Sequence, residues 1–430
     1  MKKSALLSAL IATFSFSLAG CGGGPKKSAT PAASGLNTRV VASQSISSLT
    51  GNPGLVIIDG TFDTIARAPR INAGTAPGYM EISPERASLM VFDSATNSID
   101  VVNTQKETLA GTIALPGPTV SMVAPSNSIG YAAVPSATII GSPPGALEFL
   151  SLTSFSITAT ISVPSAQYVV SNSGGSQLLV FSNDSDDVTV VSPYLLNTGS
   201  PLTTAVPGFD RPVWAVFSSD GNTAYVMNCG AECGGTQASI QTLNLKTLSV
   251  GPALPVDGAT IALMSGSTLY VVGSPPTNNA CTGQTTAAKT CGRLDIVDLN
   301  TMTVTNRIVI TDGYHDRIDI SSNGQLFIGS YNCTNIGNIN AVNPSGEIRG
   351  CLSIYNTSIP GNTSAIIPPD NGDVTGLQSF STRFVEYVAE GGNLRVYDTT
   401  TDKLYIDQYI ETGTIVIVGQ IIDVKAIDFL

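Results

Sequence analysis

The chain has 430 residues, a formal net charge of −11 and only 12% charged residues, against about 25% in an average soluble protein. That length allows one large domain or two ordinary ones, and the acidic balance argues against nucleic acid as a partner. Thr, Ser, Asn and Gly supply the solvation instead, and Val, Ile and Thr recur without long helix-forming runs, which is the composition of an all-β protein.

The first element is Met1-Lys2-Lys3, an apolar stretch from Ala5 to Ala19, then Gly20-Cys21. A short basic region, an apolar stretch and small residues at the cut form a secretory signal. The stretch is too short for a membrane span, which needs about 20 apolar residues. Leu18-Ala19-Gly20-Cys21 resembles the lipobox of bacterial lipoproteins. The resemblance implies that residues 1–20 are removed, that Cys21 is lipidated, and that the acyl chains anchor the protein to a membrane outside the cytoplasm. An Asp after the lipidated Cys resembles an inner-membrane retention signal; Gly22 stands there instead, which points to the outer membrane in a Gram-negative cell. Residues 22–38, GGGPKKSATPAASGLNT, read as a flexible tether. The globular part is expected to be a single domain over 39–430.

The body of the chain repeats. Segment 212–228 followed by 238–258, segment 259–274 followed by 292–313, and segment 316–332 followed by 350–356 share one order. Each has a strand, a Ser/Asn/Asp-Gly turn, a second strand, a loop, a third strand with an Asp or Asn, and a turn. Weaker copies lie at 79–117, 118–164, 166–208 and 377–413. A period of roughly 40–55 residues with four short strands predicts β-propeller blades. Seven full units run from about 77 to 413. Residues 54–74 read as outer strands of a further blade and 421–430 as an innermost strand. Pairing the N- and C-terminal strands into one blade gives eight blades, the preferred count; seven follows if the ends only augment other blades.

Pro212 to Asn228, with Tyr225-Val226-Met227-Asn228, and Tyr270-Val271-Val272-Gly273 are similar to the core of YVTN-type (WD40-like) β-propeller repeats. The resemblance implies a propeller fold and leaves function open, since such propellers include surface-layer proteins, periplasmic binding modules and lactonase relatives.

Six cysteines follow Cys21. Adjacent pairs bracket the loop between the second and third strands of three consecutive units, which predicts disulfides Cys229–Cys233, Cys281–Cys291 and Cys333–Cys351. The rival is a zinc site at Cys229 and Cys233, but the other pairs sit in different blades and there is one His. An oxidising compartment favours disulfides. The three closed loops are then a candidate binding face, or staples against proteolysis.

The single histidine, His315, lies with Asp316 at the start of an innermost strand, near the expected channel mouth. These two are the candidates for catalysis; a structural His is the simpler reading. Asp184, Asp186 and Asp187 in an acidic turn offer oxygen ligands for Ca²⁺, without the spaced loop or closing Glu of an EF-hand. No other cofactor is expected, and no P-loop, dinucleotide or haem motif is present. The reading is a membrane-tethered binding or interaction module of the cell envelope, with a protein or glycan partner. The alternative is a lactonase-like or lyase-like enzyme with a metal at the channel mouth.

Overall fold

Local chemistry sets the repeat. In the turn after an innermost strand, Ser218 Oγ accepts from Thr223 N and donates to Asp220. Gly221 then holds φ +67°, a left-handed conformation that a Cβ would strain. The third strand of a blade ends in Asp or Asn, whose side-chain oxygen accepts a backbone N–H two residues on. Asp59 does so from Thr61, Asn244 from Lys246, Asp298 from Asn300 and Asp398 from Thr400. These Asx turns fold the fourth strand back onto the third.

The computed structural model describes residues 33–45, 54–196, 198, 202–275, 291–334, 350–369, 372–417 and 419–428. Residues 1–20, Cys21 and Cys281 lie outside them. The chain is an eight-bladed β-propeller of antiparallel sheets. Blade 2 spans 77–114, blade 3 121–162, blade 4 166–207, blade 5 212–255, blade 6 261–310, blade 7 314–366 and blade 8 374–415. The outermost strands of blades 5 and 8 are broken in two. That of blade 7 is the single bridge between Ile354 and Ile366.

Blade 1 closes the ring. Its three outer strands are Arg39–Ser45, Gly54–Asp59 and Thr64–Ile65, and its innermost strand is Gln420–Ala426. Val40 stands opposite Ala426 and Ala42 opposite Val424. Both ends of the ring therefore meet in one sheet, as the count of eight requires.

The hydrophobic core is divided among the seams between blades. Eight buried clusters form, one per seam. Between blades 8 and 1, for example, Val40, Val56 and Ile58 meet Phe380, Tyr387 and Val396, all at most 1% exposed. A sheet with two apolar faces must bury both, and here each blade covers its neighbours.

The ring has two faces. The turn face carries the turns joining first to second and third to fourth strands. The loop face carries the loops joining second to third strands, together with the connections between blades. The innermost strand has a register shift in six blades. Such bulges bend the strand and re-aim its side chains.

Candidate functional site

The innermost strands enclose a central cavity of about 870 Å³. It reaches the turn face, where Pro84, Pro125, Asn172, Ser173 and Ser219 line it. Towards the loop face Tyr168 of blade 4 and Tyr314 of blade 7 line it. The Tyr314 ring also tilts against Tyr331, with centroids 5.3 Å apart.

The wall is divided. Blades 3 to 6 contribute Met122, Val170, Trp214, Val216, Ile261 and Leu263. Blades 7, 8, 1 and 2 contribute Asp316, Arg317, Asp319, Gln378, Lys425, Tyr79 and Glu81. One half of the channel is apolar and the other is charged.

The charged half is a braced network. Arg317 donates from Nε to Thr375 O at 2.7 Å, tying blade 7 to blade 8, and from NH1 to Asp316 Oδ2 at 2.9 Å. The Arg317 guanidinium and the Lys425 ammonium both approach the Tyr79 ring, 5.7 Å and 5.8 Å from its centroid. Behind the wall, Asp423 is 1% exposed. It accepts from Met80 N at 2.9 Å and faces Lys425 Nζ at 3.7 Å. Glu81 accepts from the Tyr79 hydroxyl at 3.2 Å. Desolvation pushes its carboxyl up to about 7, against the opposing pull of Lys425 and the Tyr79 hydrogen bond, so this wall changes charge near neutral pH. Burial also raises Asp316, with Arg317 opposing. Asp316 Oδ1 is buried and has no hydrogen-bond partner.

The sequence-derived candidates divide between channel and loop face. Asp316 lines the channel. His315, its neighbour, does not line the channel; the register shift between His315 and Arg317 breaks strict alternation, so that the consecutive Asp316 and Arg317 both reach it. The imidazole is fully buried, with Nδ1 3.4 Å from Ser274 Oγ. Burial drives its pKa down to about 3, so it is neutral and too weak a base to take a proton from a substrate at neutral pH. Asp184 and Asp186 face a fixed cation, with Arg211 at 3.7 Å and 3.9 Å, and Asp187 stands at the start of the third strand of blade 4. Among the described residues no group of three or more His, Cys, Asp or Glu side chains is set to hold a metal ion. Trp214 both lines the channel and packs into the seams around blade 5.

On the loop face Cys229 is bonded to Cys233 and Cys333 to Cys351, with Cα atoms 5.6 Å and 5.5 Å apart. Cys291 is disulfide-bonded and fully buried; Cys281 lies outside the described residues. Asp210 fastens the first of these loops by accepting from Thr236 N at 3.0 Å and Gln237 N at 2.7 Å. Burial would raise the Asp210 carboxyl, but the hydrogen bonds from Thr236 and Gln237 outweigh it and hold it low. In the same loop Glu232 accepts from Ser274 N at 2.8 Å, and burial raises it to about 7.

Sequence reasoning missed Tyr79, Glu81, Arg317 and Lys425. A signal was present: charged residues interrupt innermost strands that read Val-Trp-Ala-Val in blade 5 and Ile-Ala-Leu in blade 6.

No family model and no curated protein matches the chain. Solved structures do resemble it. A dihydro-heme d1 dehydrogenase, NirN, in complex with DHE aligns over 91% of this chain and 75% of its own at 12% identity, with a TM-score of 0.55. The periplasmic gluconolactonase PpgL of Pseudomonas aeruginosa aligns over 91% and 99% at 13% identity and TM-score 0.47. A putative 6-phosphogluconolactonase from Bacteroides uniformis aligns over 90% and 99% at 11% identity and TM-score 0.49. At such identities the likeness is one of fold alone, and only the NirN match, at 0.55, adds weight to the β-propeller that the sheets themselves show.

Proposed function

We propose that this chain is a lipid-tethered, extracytoplasmic propeller of YVTN type that binds an amphipathic small molecule in its central channel. The observation that carries the binding reading is the divided wall, apolar around Trp214 and charged around Arg317. Ligand sites are mostly apolar cavities with a few placed polar groups that fix orientation. The Asp316 side chain, 26% exposed at the channel wall, offers a carboxylate acceptor to a hydrogen-bond donor on the ligand. An apolar body against Trp214 and a hydroxyl- or amine-bearing head against Asp316 satisfy both halves. The Leu18–Cys21 lipobox and the tether that follows support the membrane anchor.

Trp214 is the only tryptophan, so no other indole contributes to the emission from the channel wall. Titration with octyl glucoside below its micelle concentration should give a saturable spectral shift, and glucose should give none. Asp316→Asn should weaken the response several-fold. An equal, unsaturable response in wild type and variant would overturn the binding reading. For the anchor, cells fed labelled palmitate should label the wild-type chain and leave Cys21→Ser unlabelled and released from membranes.

A further inference from the structure

We propose that the rim where blade 8 meets blade 1, on the turn face, is a bilayer-contact surface; the inference rests on the lipid-anchor reading above. Of the thirteen large hydrophobic side chains exposed among the described residues, five come from blades 1 and 8 near this rim. They are Phe62, Ile65, Phe384, Ile406 and Tyr409, between 44% and 64% exposed. The rings of Phe62 and Tyr409 lie 5.0 Å apart and join the two blades. Phe384 follows Arg383, whose guanidinium grips Asp63 next to Phe62 at 2.6 Å.

The other blades show what these turns need for folding alone. In the third-to-fourth-strand turn, the residue just before a left-handed one is Phe62 in blade 1. The matching residue is Lys106 in blade 2, Ser154 in blade 3, Thr247 in blade 5, Thr301 in blade 6 and Thr401 in blade 8. In the first-to-second-strand turn, Phe384 O accepts from Thr399 N. The same backbone bond identifies its counterparts as Ala87, Ser128, Asn222, Ser267 and Gly324. Both turn positions are small or polar in these other blades, so neither phenylalanine is there to make its turn. A clustered apolar patch of this kind marks an interaction site, and aromatic rings favour the membrane–water boundary.

The chain's own path selects the bilayer as partner. Gly60 N, in the Phe62 turn, donates to Thr38 O at 2.9 Å. Ser34 N donates to Glu107 Oε2 at 2.7 Å on the neighbouring turn of blade 2. Ser34 thus stands on the turn face where blade 1 borders blade 2, on the other flank of blade 1 from the Phe62–Tyr409 contact. Thirteen residues run from Cys21 to Ser34, and a chain of that length reaches at most about 45 Å. An acyl anchor at Cys21 holds the turn face nearer the lipid than the loop face.

The test reconstitutes the acylated full chain in phosphatidylcholine vesicles and follows amide hydrogen exchange. Exchange in the turns at 59–64 and 380–385 should slow at least threefold relative to the Cys21→Ser chain in solution, with the loop at 229–238 unchanged. In the double variant Phe62→Ser, Phe384→Ser the protein should stay attached but lose that slowing. Attached protein with no slowing overturns this inference and leaves the anchor reading intact; absence of palmitate labelling overturns the anchor reading alone. Partitioning of the non-acylated chain onto the same vesicles is independent of Cys21. It should fall at least threefold in the double variant. An unchanged value, or slowing in solution that tracks self-association, overturns the surface.

Discussion

Arg39 and Asp428 stand 389 positions apart and form a two-pronged ion pair, with Nε at 3.0 Å from Oδ2 and NH2 at 2.7 Å from Oδ1. The same guanidinium donates from NH1 to Thr104 O at 2.7 Å and to Glu107 at 2.8 Å in blade 2. One side chain, 7% exposed, therefore ties both ends of the ring to the next blade. Arg39→Met leaves Glu107, 2% exposed in its side chain, without a counterion. Removing one partner of a buried pair costs about 3–5 kcal/mol. Urea unfolding should show a midpoint loss of that size, and Lys at 39 should recover only part of it because it cannot present the bidentate fork.

Reduction should weaken the loop face unequally. In the chain-entropy picture the Cys333–Cys351 link, closing a separation of 18 residues, contributes about 3 kcal/mol. The Cys229–Cys233 link, closing 4 residues, contributes about 2 kcal/mol. Double-serine variants compared by chemical denaturation should rank in that order. Peptide mapping without reductant should recover both cross-links and a third between Cys281 and Cys291. Any link between blades contradicts the register.

Glu386 should make stability fall with rising pH. Its carboxyl is fully buried. Burial first, then the neighbouring charge of Asp319, raise its pKa well above the usual range. Asp319 accepts from Ser379 N at 2.8 Å, and the raised pKa of Glu386 means that it keeps its proton to a higher pH than a free glutamate does. The folded state holds this proton more tightly than the unfolded chain does. The stabilisation is complete below about pH 4.3, the ordinary glutamate value, and is lost as pH climbs towards the folded pKa. The slope from this group is at most about 1.4 kcal/mol per pH unit. Glu386→Gln should flatten the decline in melting temperature between pH 5 and 9; an unchanged slope contradicts the assignment.

Asp210 is expected to act as a clip rather than as part of any reaction. Asp210→Ala frees the amides of Thr236 and Gln237 and should cost about 1–2 kcal/mol. Hydrogen exchange at those two amides should quicken by an order of magnitude while the Cys229–Cys233 link persists. Octyl glucoside should shift Trp214 emission as in the wild type.

The ring was legible in the sequence because each blade repeats local chemistry. Ser218-x-Asp220-Gly221 and the Asn244, Asp298 and Asp398 turns announce strand ends wherever they occur. Even closure could be read, since 54–74 and 421–430 looked like parts of one blade. The channel was not legible, because Tyr79, Arg317 and Lys425 become neighbours only after the ring has closed. Nor was the side taken by His315, where a one-residue step decides between channel and seam and a bulge lies at that step. Phe62 and Tyr409 were hidden for the same reason as the channel: their blades are first and last in the chain.

The 420–426 strand follows every other strand of the ring in sequence, yet it forms the innermost layer of the first blade. Until it arrives, Arg39–Ser45 presents an unpaired edge, the kind of surface that invites aggregation or proteolysis. Completion is thus self-reporting. A chain interrupted before residue 420 carries a sticky border and half a charged wall, lacking Lys425. A finished chain conceals the border and acquires its cavity in the same event. A protease or chaperone needs only that exposed edge to tell the two apart.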